Sequence, residues 1–206
     1  MQLSNDKMEQ ETNNQQAPSE LEDVILQAAL RLFAEKGYFN TSLNDIVEAA
    51  GVKTTSTLYQ HFKNKQLIAS ALNEKIFDSL SVSIDDIRRR SQKASEQLRG
   101  IVDLLFGLAD EAPEVIGFLI ILHTDEFLPE PKKLMQSAPF AKIIKIFQAG
   151  IKAGEIRNID PVLAYAYFFG IINNTLRLVL TAELAKQADV YLAGAWLAAW
   201  GAIAKK

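Results

Sequence analysis

The sequence predicts an all-α protein with two domains. From Leu21 onward, apolar residues recur at spacings of three and four, the periodicity of one face of an α-helix. The sequence has no segment that alternates apolar and polar residues like a β-strand, and no motif that recurs at a solenoid period. With 206 residues, of which 49% are hydrophobic, the chain can bury one sizeable core and a small appended unit.

Residues 1–18 are predicted to be a disordered polar tail. They are rich in Gln, Asn and acids, lack apolar periodicity and end at Pro18. Residues 1–23 carry six acids and one lysine, so they concentrate the negative charge of a chain whose net charge is −3. Such a terminus does not fit a signal peptide. A capping box over residues 19–22 is expected to begin the first helix.

Residues 41–65 have the pattern of a helix-turn-helix. Ser42 and Asp45 form a capping box, and one apolar stripe follows at Leu43, Ile46, Val47 and Ala50. Gly51 ends this helix. In the next helix Leu58 and Phe62 are inward-facing i, i+4 partners.

The outward side of the second helix carries side chains that suit contacts in a DNA groove. Hydroxyls and a carboxamide that hydrogen-bond to base edges or phosphates are supplied by Thr54, Thr55, Ser56 and Gln60. Positive charge comes from Lys53, His61, Lys63 and Lys65, with no acid between positions 53 and 65. Any two short amphipathic helices joined by glycine share the bare pattern, so the flanking residues decide whether DNA is the partner.

Those flanking residues are Ile25, Ala28, Ala29, Leu32, Phe33, Gly37, Thr41 and Ser42 before the pair, and the run 58–65 at its end. Over residues 21–72 the chain resembles the TetR family of transcriptional regulators. The resemblance implies that bases are read by Thr54, Thr55, Ser56 and Gln60, and that phosphates are held by Ser42, Tyr59, His61 and Lys65, with Lys53 adding charge. A DNA-binding domain is therefore predicted over residues 19–65.

Two features depart from the family pattern. The interval from Gly51 to Tyr59 is one residue longer than the commonest form, and we expect the turn around Val52 to absorb the extra residue. The residues before helix one are acidic rather than basic, so a basic arm gripping phosphate is not expected. These departures keep open a second hypothesis, a helical interaction module that no longer reads a specific DNA sequence.

Residues 66–206 are predicted to form a helical domain for ligand binding and dimerisation. Asn64 caps a long helix that links the two domains, and the cations at 88–90 suit its C-terminus. Later helices are predicted, from their prolines and glycines, near 95–110, 114–124, 139–153, 161–180 and 188–203.

The helix from Pro161 is apolar almost all round, and the last helix carries small residues at Gly194, Ala195, Ala198 and Gly201. A membrane span is not favoured, because the first of these helices is interrupted by Asn173, Asn174 and Arg177. The family resemblance implies a C2 homodimer through these two helices. Two recognition helices would then reach successive major grooves of a palindromic operator, about 34 to 36 Å apart.

The resemblance also implies a small inducer among the C-terminal helices. Candidate lining residues are Phe106, Phe118, Leu122, His123, Phe127, Tyr165, Phe169, Asn173 and Arg177. The competing interpretation is that these aromatic residues are simply core. A metal held by His123, Asp125 and Glu126 is not favoured, since this spacing places only part of the set on one helix face.

No enzyme is predicted. Two histidines are present, neither beside a serine nucleophile motif or a phosphate-binding glycine loop, and the absence of cysteine excludes thiolate chemistry and disulfides. We therefore expect a cytoplasmic, ligand-responsive repressor without a cofactor, released from DNA by a hydrophobic or amphipathic molecule.

Overall fold

The computed structural model describes residues 5–122 and 137–206, with side chains described from Glu20 onward. These ranges fold into nine α-helices: α1 Asn5–Lys36, α2 Leu43–Ala49, α3 Thr55–His61, α4 Lys65–Arg90, α5 Ala94–Glu111, α6 Pro113–Ile120, α7 Ala138–Ala153, α8 Pro161–Leu180 and α9 Ala188–Ile203. The β-structure that these ranges contain is a single isolated bridge between Ile156 and Ala204. The all-α prediction is confirmed.

The chain divides into two compact units. Unit 1 is Met1–Leu72 and unit 2 is Asn73–Lys206, so the division falls inside α4 rather than at its start, where the sequence placed it. In unit 1, the inward stripe of α1 buries Ile25, Ala29 and Phe33 completely.

The beginning of α1 differs from the expectation of a disordered tail over residues 1–18. The helix is already present at Asn5 and continues through Pro18, beyond the predicted capping box at 19–22. Gln and Glu are good helix formers, and a helix that is nucleated by a packed segment propagates at little cost. The missing apolar stripe therefore does not mark the start of the helix, because helix propensity extends it. Residues 1–4 lie outside the described part.

In unit 2, α5 buries Leu98, Val102 and Phe106 in the core. Phe147 from α7 and Phe168 from α8 are buried in the same core. Helices α8 and α9 begin and end where the sequence predicted. Helix α6 ends at Ile120, before the predicted residue 124, because the Leu122 amide bonds to the Gly117 carbonyl at 3.3 Å and widens the last turn.

Two carboxylates from distant parts of the chain cap helices of unit 2. Glu155 accepts hydrogen bonds from the amides of Ala94 and Ser95, at 2.9 and 3.0 Å, at the start of α5. Asp110, near the end of α5, accepts from the amides of Ala188 and Asp189 at the start of α9. Both ends of α5 are therefore fixed to other elements.

Helix α8 satisfies the length and composition of a membrane span, with a mean hydropathy of 1.3 over its most apolar window. A core helix of a soluble protein passes the same test. Its buried side, which includes Ala164, Phe168, Ile172 and Leu176, packs in the core of unit 2.

Candidate nucleic-acid interface

The first helix of the predicted pair, α2, is capped as the sequence predicted. The amide of Asp45 donates to Ser42 Oγ at 3.1 Å, and the amide of Ser42 donates to Asp45 Oδ2 at 2.7 Å. Hydrogen bonds from the Ser42 side chain and backbone hold the pKa of the Asp45 carboxyl below its usual range. Because the Ser42 hydroxyl also donates to Asp45 at 2.6 Å, it is committed to the cap.

The turn between the helices depends on Gly51. Its φ of +65° is left-handed, a conformation that a side chain disfavours, and the amide of Val52 bonds back to the Val47 carbonyl at 3.0 Å. Helix α3 then starts after Thr54, whose hydroxyl accepts from the Thr57 amide at 3.3 Å. Thr54 therefore caps the recognition helix.

Two contacts fix α3 against α2 and the core. Thr55 Oγ1 donates to Asn44 Oδ1 at 3.2 Å, and Leu58 is fully buried. Phe62, just after the helix, is also buried, as the inward i, i+4 pair predicted. The N-terminal part of α3 is thus held rigidly at the surface of unit 1.

The exposed side of this motif carries polar and cationic groups. Lys53, Ser56, Gln60 and Lys63 are exposed, and the Tyr59 side chain is half exposed. Within the described part of the chain, the side chains of Lys53, Ser56, Gln60 and Lys63 make no hydrogen bond or ion pair. We call these five residues the reading face.

Lys65 does not belong to the reading face. Its ammonium group donates to the carbonyls of Tyr38 and Thr41, both at 2.8 Å, and lies 4.2 Å from the centre of the Tyr38 ring. Burial lowers the pKa of Lys65 and raises that of Tyr38. These contacts give Lys65 a role in the fold of unit 1, and the phosphate role predicted from sequence stays a prediction.

His61 is also turned inward. Its side chain is 13% exposed, and Nδ1 lies 3.3 Å from Glu22 Oε1 on α1. Lys63, which sequence reasoning counted only as charge, is the exposed cation at this end of the motif. Local spacing could not show that Lys63, and not Lys65, is the exposed cation. The hydrogen-bond partners of Lys65 are 24 and 27 residues away along the chain.

The predicted effector residues are only partly brought together. Phe106 and Phe118 are completely buried, as core residues are, and Leu122 is half-buried. His123 and Phe127 lie outside the described residues. So do Asp125 and Glu126 of the metal alternative.

Tyr165 and Phe169 belong to a cluster of rings in unit 2. The Tyr165 ring lies 5.9 Å from Phe140 and 4.9 Å from Phe169, and Phe140 in turn lies 5.8 Å from Phe77. Burial raises the pKa of the Tyr165 hydroxyl to about 12. Asn73, one helical turn before Phe77, has a buried side-chain oxygen without a hydrogen-bond partner in the described part.

Asn173 and Arg177 follow Tyr165 and Phe169 at i, i+4 spacing along α8, but the two are not both brought to the ring cluster. Asn173 is half-buried, whereas Arg177 is exposed and donates to Asn174 Oδ1 at 3.0 Å. The i, i+4 row from Tyr165 therefore runs out of the ring cluster toward the exposed side of α8.

Comparison with known proteins supports the helix-turn-helix interpretation. A profile described as bacterial regulatory proteins of the tetR family matches residues 25–72. The chain is 28% identical to the fatty acid metabolism regulator protein of Bacillus subtilis, over 74% of this chain and 79% of that protein. It is 27% identical to the transcriptional repressor KstR2 of Mycolicibacterium smegmatis, over 73% and 75% of the two chains.

Its fold is similar to that of a TetR family regulator from Marinobacter aquaeolei, with a TM-score of 0.74 and 22% identity over 93% of this chain and all of that one. Residues 25–72 thus match the tetR family, and over most of its length the chain is similar in sequence or fold to regulators of that family. The proteins that it matches are named as regulators rather than as enzymes.

Proposed function

We propose that this protein is a cytoplasmic, homodimeric repressor that leaves a palindromic operator when a hydrophobic or amphipathic small molecule binds unit 2. The observation that carries the proposal is the reading face, a rigidly capped α3 that presents free polar groups and cations from a helix-turn-helix. In such motifs the N-terminal part of the second helix contacts base edges.

Within that face we assign two kinds of contact. Ser56 and Gln60 have free side chains and read bases, with Thr54 and Thr55 beside them at the start of α3. Lys53, Tyr59 and Lys63 hold phosphates, because cations and hydroxyls at the edges of the motif suit backbone contacts.

The homodimer is supported by an exposed apolar face on α8 and α9. Its large members are Val162, Leu163, Tyr167, Val190 and Leu197, which are 42 to 69% exposed in the single chain. The same two helices carry Gly170, Gly194 and Gly201, where an added Cβ would meet no atom within 4 Å. Ala195, predicted on this face, is instead buried in the core. A C2 partner would cover such a face.

The effector proposal is supported by the ring cluster and its polar groups. Tyr165 and the unpartnered oxygen of Asn73 offer hydrogen-bonding groups beside the rings of Phe77, Phe140 and Phe169. Regulators named for fatty acid metabolism and for ketosteroids are among the relatives and fold neighbours, which agrees with an apolar effector. Helix α4 belongs to both units. An effector that binds more tightly to a conformation with a shifted α4 would therefore weaken operator affinity, by as much free energy as the effector's preference for that conformation.

Fluorescence anisotropy with DNA flanking the protein's own gene tests the proposal, with random duplex as competitor and with salt varied. Tight binding that resists the competitor supports a specific regulator. Weak binding to every duplex, abolished by salt, would favour the interaction module.

Two variants separate the roles on the reading face. Lys63→Ala should weaken binding to all duplexes alike and reduce the salt slope by about 2 per dimer, since each chain loses one phosphate contact. Gln60→Ala should cost about 1–3 kcal/mol per half-site, on the operator alone. A uniform loss from Gln60→Ala, or an operator-specific loss from Lys63→Ala, would contradict the assignment.

A further inference from the structure

A polar cleft lies within unit 2, away from the ring cluster, where the C-terminal end of α4 meets the start of α5 and the middle of α7. Its volume is about 660 Å³, within the range of small-molecule sites. It is lined by Asp85, Arg88, Arg89, Gln92, Gln97, Lys145, Ile146 and Ala149.

The lining is strongly cationic. Three cations face one carboxylate, and that carboxylate is already satisfied, because Asp85 Oδ2 lies 2.6 Å from the ammonium of Lys142. The hydrogen bond from Lys142, with the charges of Lys142, Arg88 and Arg89, holds the pKa of Asp85 low. An anion entering the cleft would therefore meet a net positive charge, to which Lys145 contributes without an ion-pair partner among the described residues.

Part of this charge has an explanation within the fold. Arg88 and Arg89 lie in the last turn of α4, where cations stabilise the negative end of the helix dipole, and Arg89 pairs with Asp86. That explanation does not extend to Lys145. This lysine lies in the middle of α7 and forms no ion pair with any described residue.

The cationic groups stand on a fixed scaffold. Ile146 is 1% exposed in the floor of the cleft, and Gln97 is buried, with Nε2 donating to the Ser91 carbonyl at 2.6 Å. This bond ties the connection between α4 and α5, which carries Gln92 at the rim. Arg88 is held only loosely by Asp85, at 3.5 Å, so its guanidinium keeps donors for a ligand.

We propose that this cleft binds a small organic phosphate, with the phosphate held by Arg88, Arg89 and Lys145. Two guanidinium forks and an ammonium suit a dianion with several oxygens. The volume exceeds what a phosphate group fills, and Ile146 and Ala149 supply an apolar surface for the organic part. The site is independent of the proposed repressor function, and its test needs no DNA.

Isothermal titration calorimetry of the full chain, with ADP, adenosine and inorganic pyrophosphate as probes, tests the proposal. We expect saturable binding of ADP with one site per chain, weaker binding of pyrophosphate and none of adenosine. Absence of binding by both ADP and pyrophosphate would overturn the proposal. If pyrophosphate binds as tightly as ADP, the organic part of the ligand contributes nothing to binding. The cleft would then be a site for free phosphate, and the proposal of an organic phosphate would be wrong.

The double variant Arg89→Ala with Lys145→Ala removes two exposed cations of the cleft and should weaken ADP binding at least tenfold. Lys152→Ala is the matched control, because Lys152 is an exposed lysine of the same helix that does not line the cleft. If ADP binding weakens equally in the double variant and in Lys152→Ala, overall charge, and not this site, attracts the probe. Circular dichroism checks that each variant keeps its helices.

Discussion

Lys65 shows how one side chain can join a helix to a loop of unit 1. Its ammonium group stands at the first residue of α4 and donates to two carbonyls of the 38–41 segment, above the ring of Tyr38. The same segment is held from the other side by Thr41, whose hydroxyl donates to the Gly37 carbonyl at 2.9 Å. Removal of the ammonium would take its donor from the Thr41 carbonyl and leave the Tyr38 carbonyl with the amide of Thr41, at 3.3 Å.

We therefore expect Lys65→Met to lower the free energy of unfolding of unit 1 by about 2 kcal/mol, the scale of hydrogen bonds to a charged group. Methionine keeps much of the packing of the stem. Lys63→Met, two positions earlier and exposed, should change stability by less than about 0.5 kcal/mol. Urea unfolding followed by circular dichroism measures both. Equal stabilities, with DNA binding lost only in Lys65→Met, would restore the phosphate role that sequence suggested.

At this scale, sequence predicts contacts that are local. The cap of Ser42 on α2 and that of Asn64 on α4 join residues three apart, and both are present. The caps by Glu155 and Asp110 join residues about 60 and 78 apart, and no periodicity or motif signals such pairs. The partial burial of Lys65 follows from the same kind of distant contact.

Among the helices, sequence located the ends best where a specific residue enforces them. Asp160 caps α8 with its side chain before Pro161, and Gly154 ends α7 with φ +76°. The ends that differed, at α1 and α6, have no such residue: propensity extends α1, and a widened turn shortens α6. The sequence did not predict which helices pack against each other, because one apolar stripe can face several partners.

Gly150, on α7, packs closely against the start of α5 and against Ile156. A Cβ added there would lie 2.7 Å from both the Ala94 Cβ and the Ile156 Cδ1. The alanine methyl cannot move without its backbone, so Gly150→Ala should lower the free energy of unfolding by about 1–3 kcal/mol.

Gly107, on α5, is the matched control, because an added Cβ would meet nothing within 4 Å. Gly107→Ala should raise stability by about 0.5–1 kcal/mol through helix propensity and the lost freedom of the unfolded chain. Thermal unfolding of both variants measures the difference. The same sign for the two substitutions would contradict the packing argument.

At the scale of the whole molecule, the sequence predicted an all-α fold with a helix-turn-helix, because both follow from periodicity and turn residues. It did not predict which apolar residues of α8 and α9 would stay exposed, since these helices are apolar almost all round. The exposed face is a property of the folded unit 2, and we propose that a second copy covers it.

This proposal predicts the assembly state. Leu197 is 69% exposed on α9, and Leu197→Glu would place a charge in the dimer interface, where burial without a partner is costly. The variant should be monomeric by size-exclusion chromatography with light scattering, while the unmodified protein is a dimer. Its operator affinity should fall, because two linked recognition helices bind far more tightly than one.

Val82→Glu is the control, because Val82 is a similarly exposed apolar residue, 63% exposed on α4, outside the proposed interface. It should remain dimeric and keep its affinity for DNA. A dimer that persists in Leu197→Glu would place the interface elsewhere, and an unmodified protein that is monomeric at micromolar concentration would refute the homodimer. If both variants dissociate, added charge rather than the α8 and α9 face controls assembly.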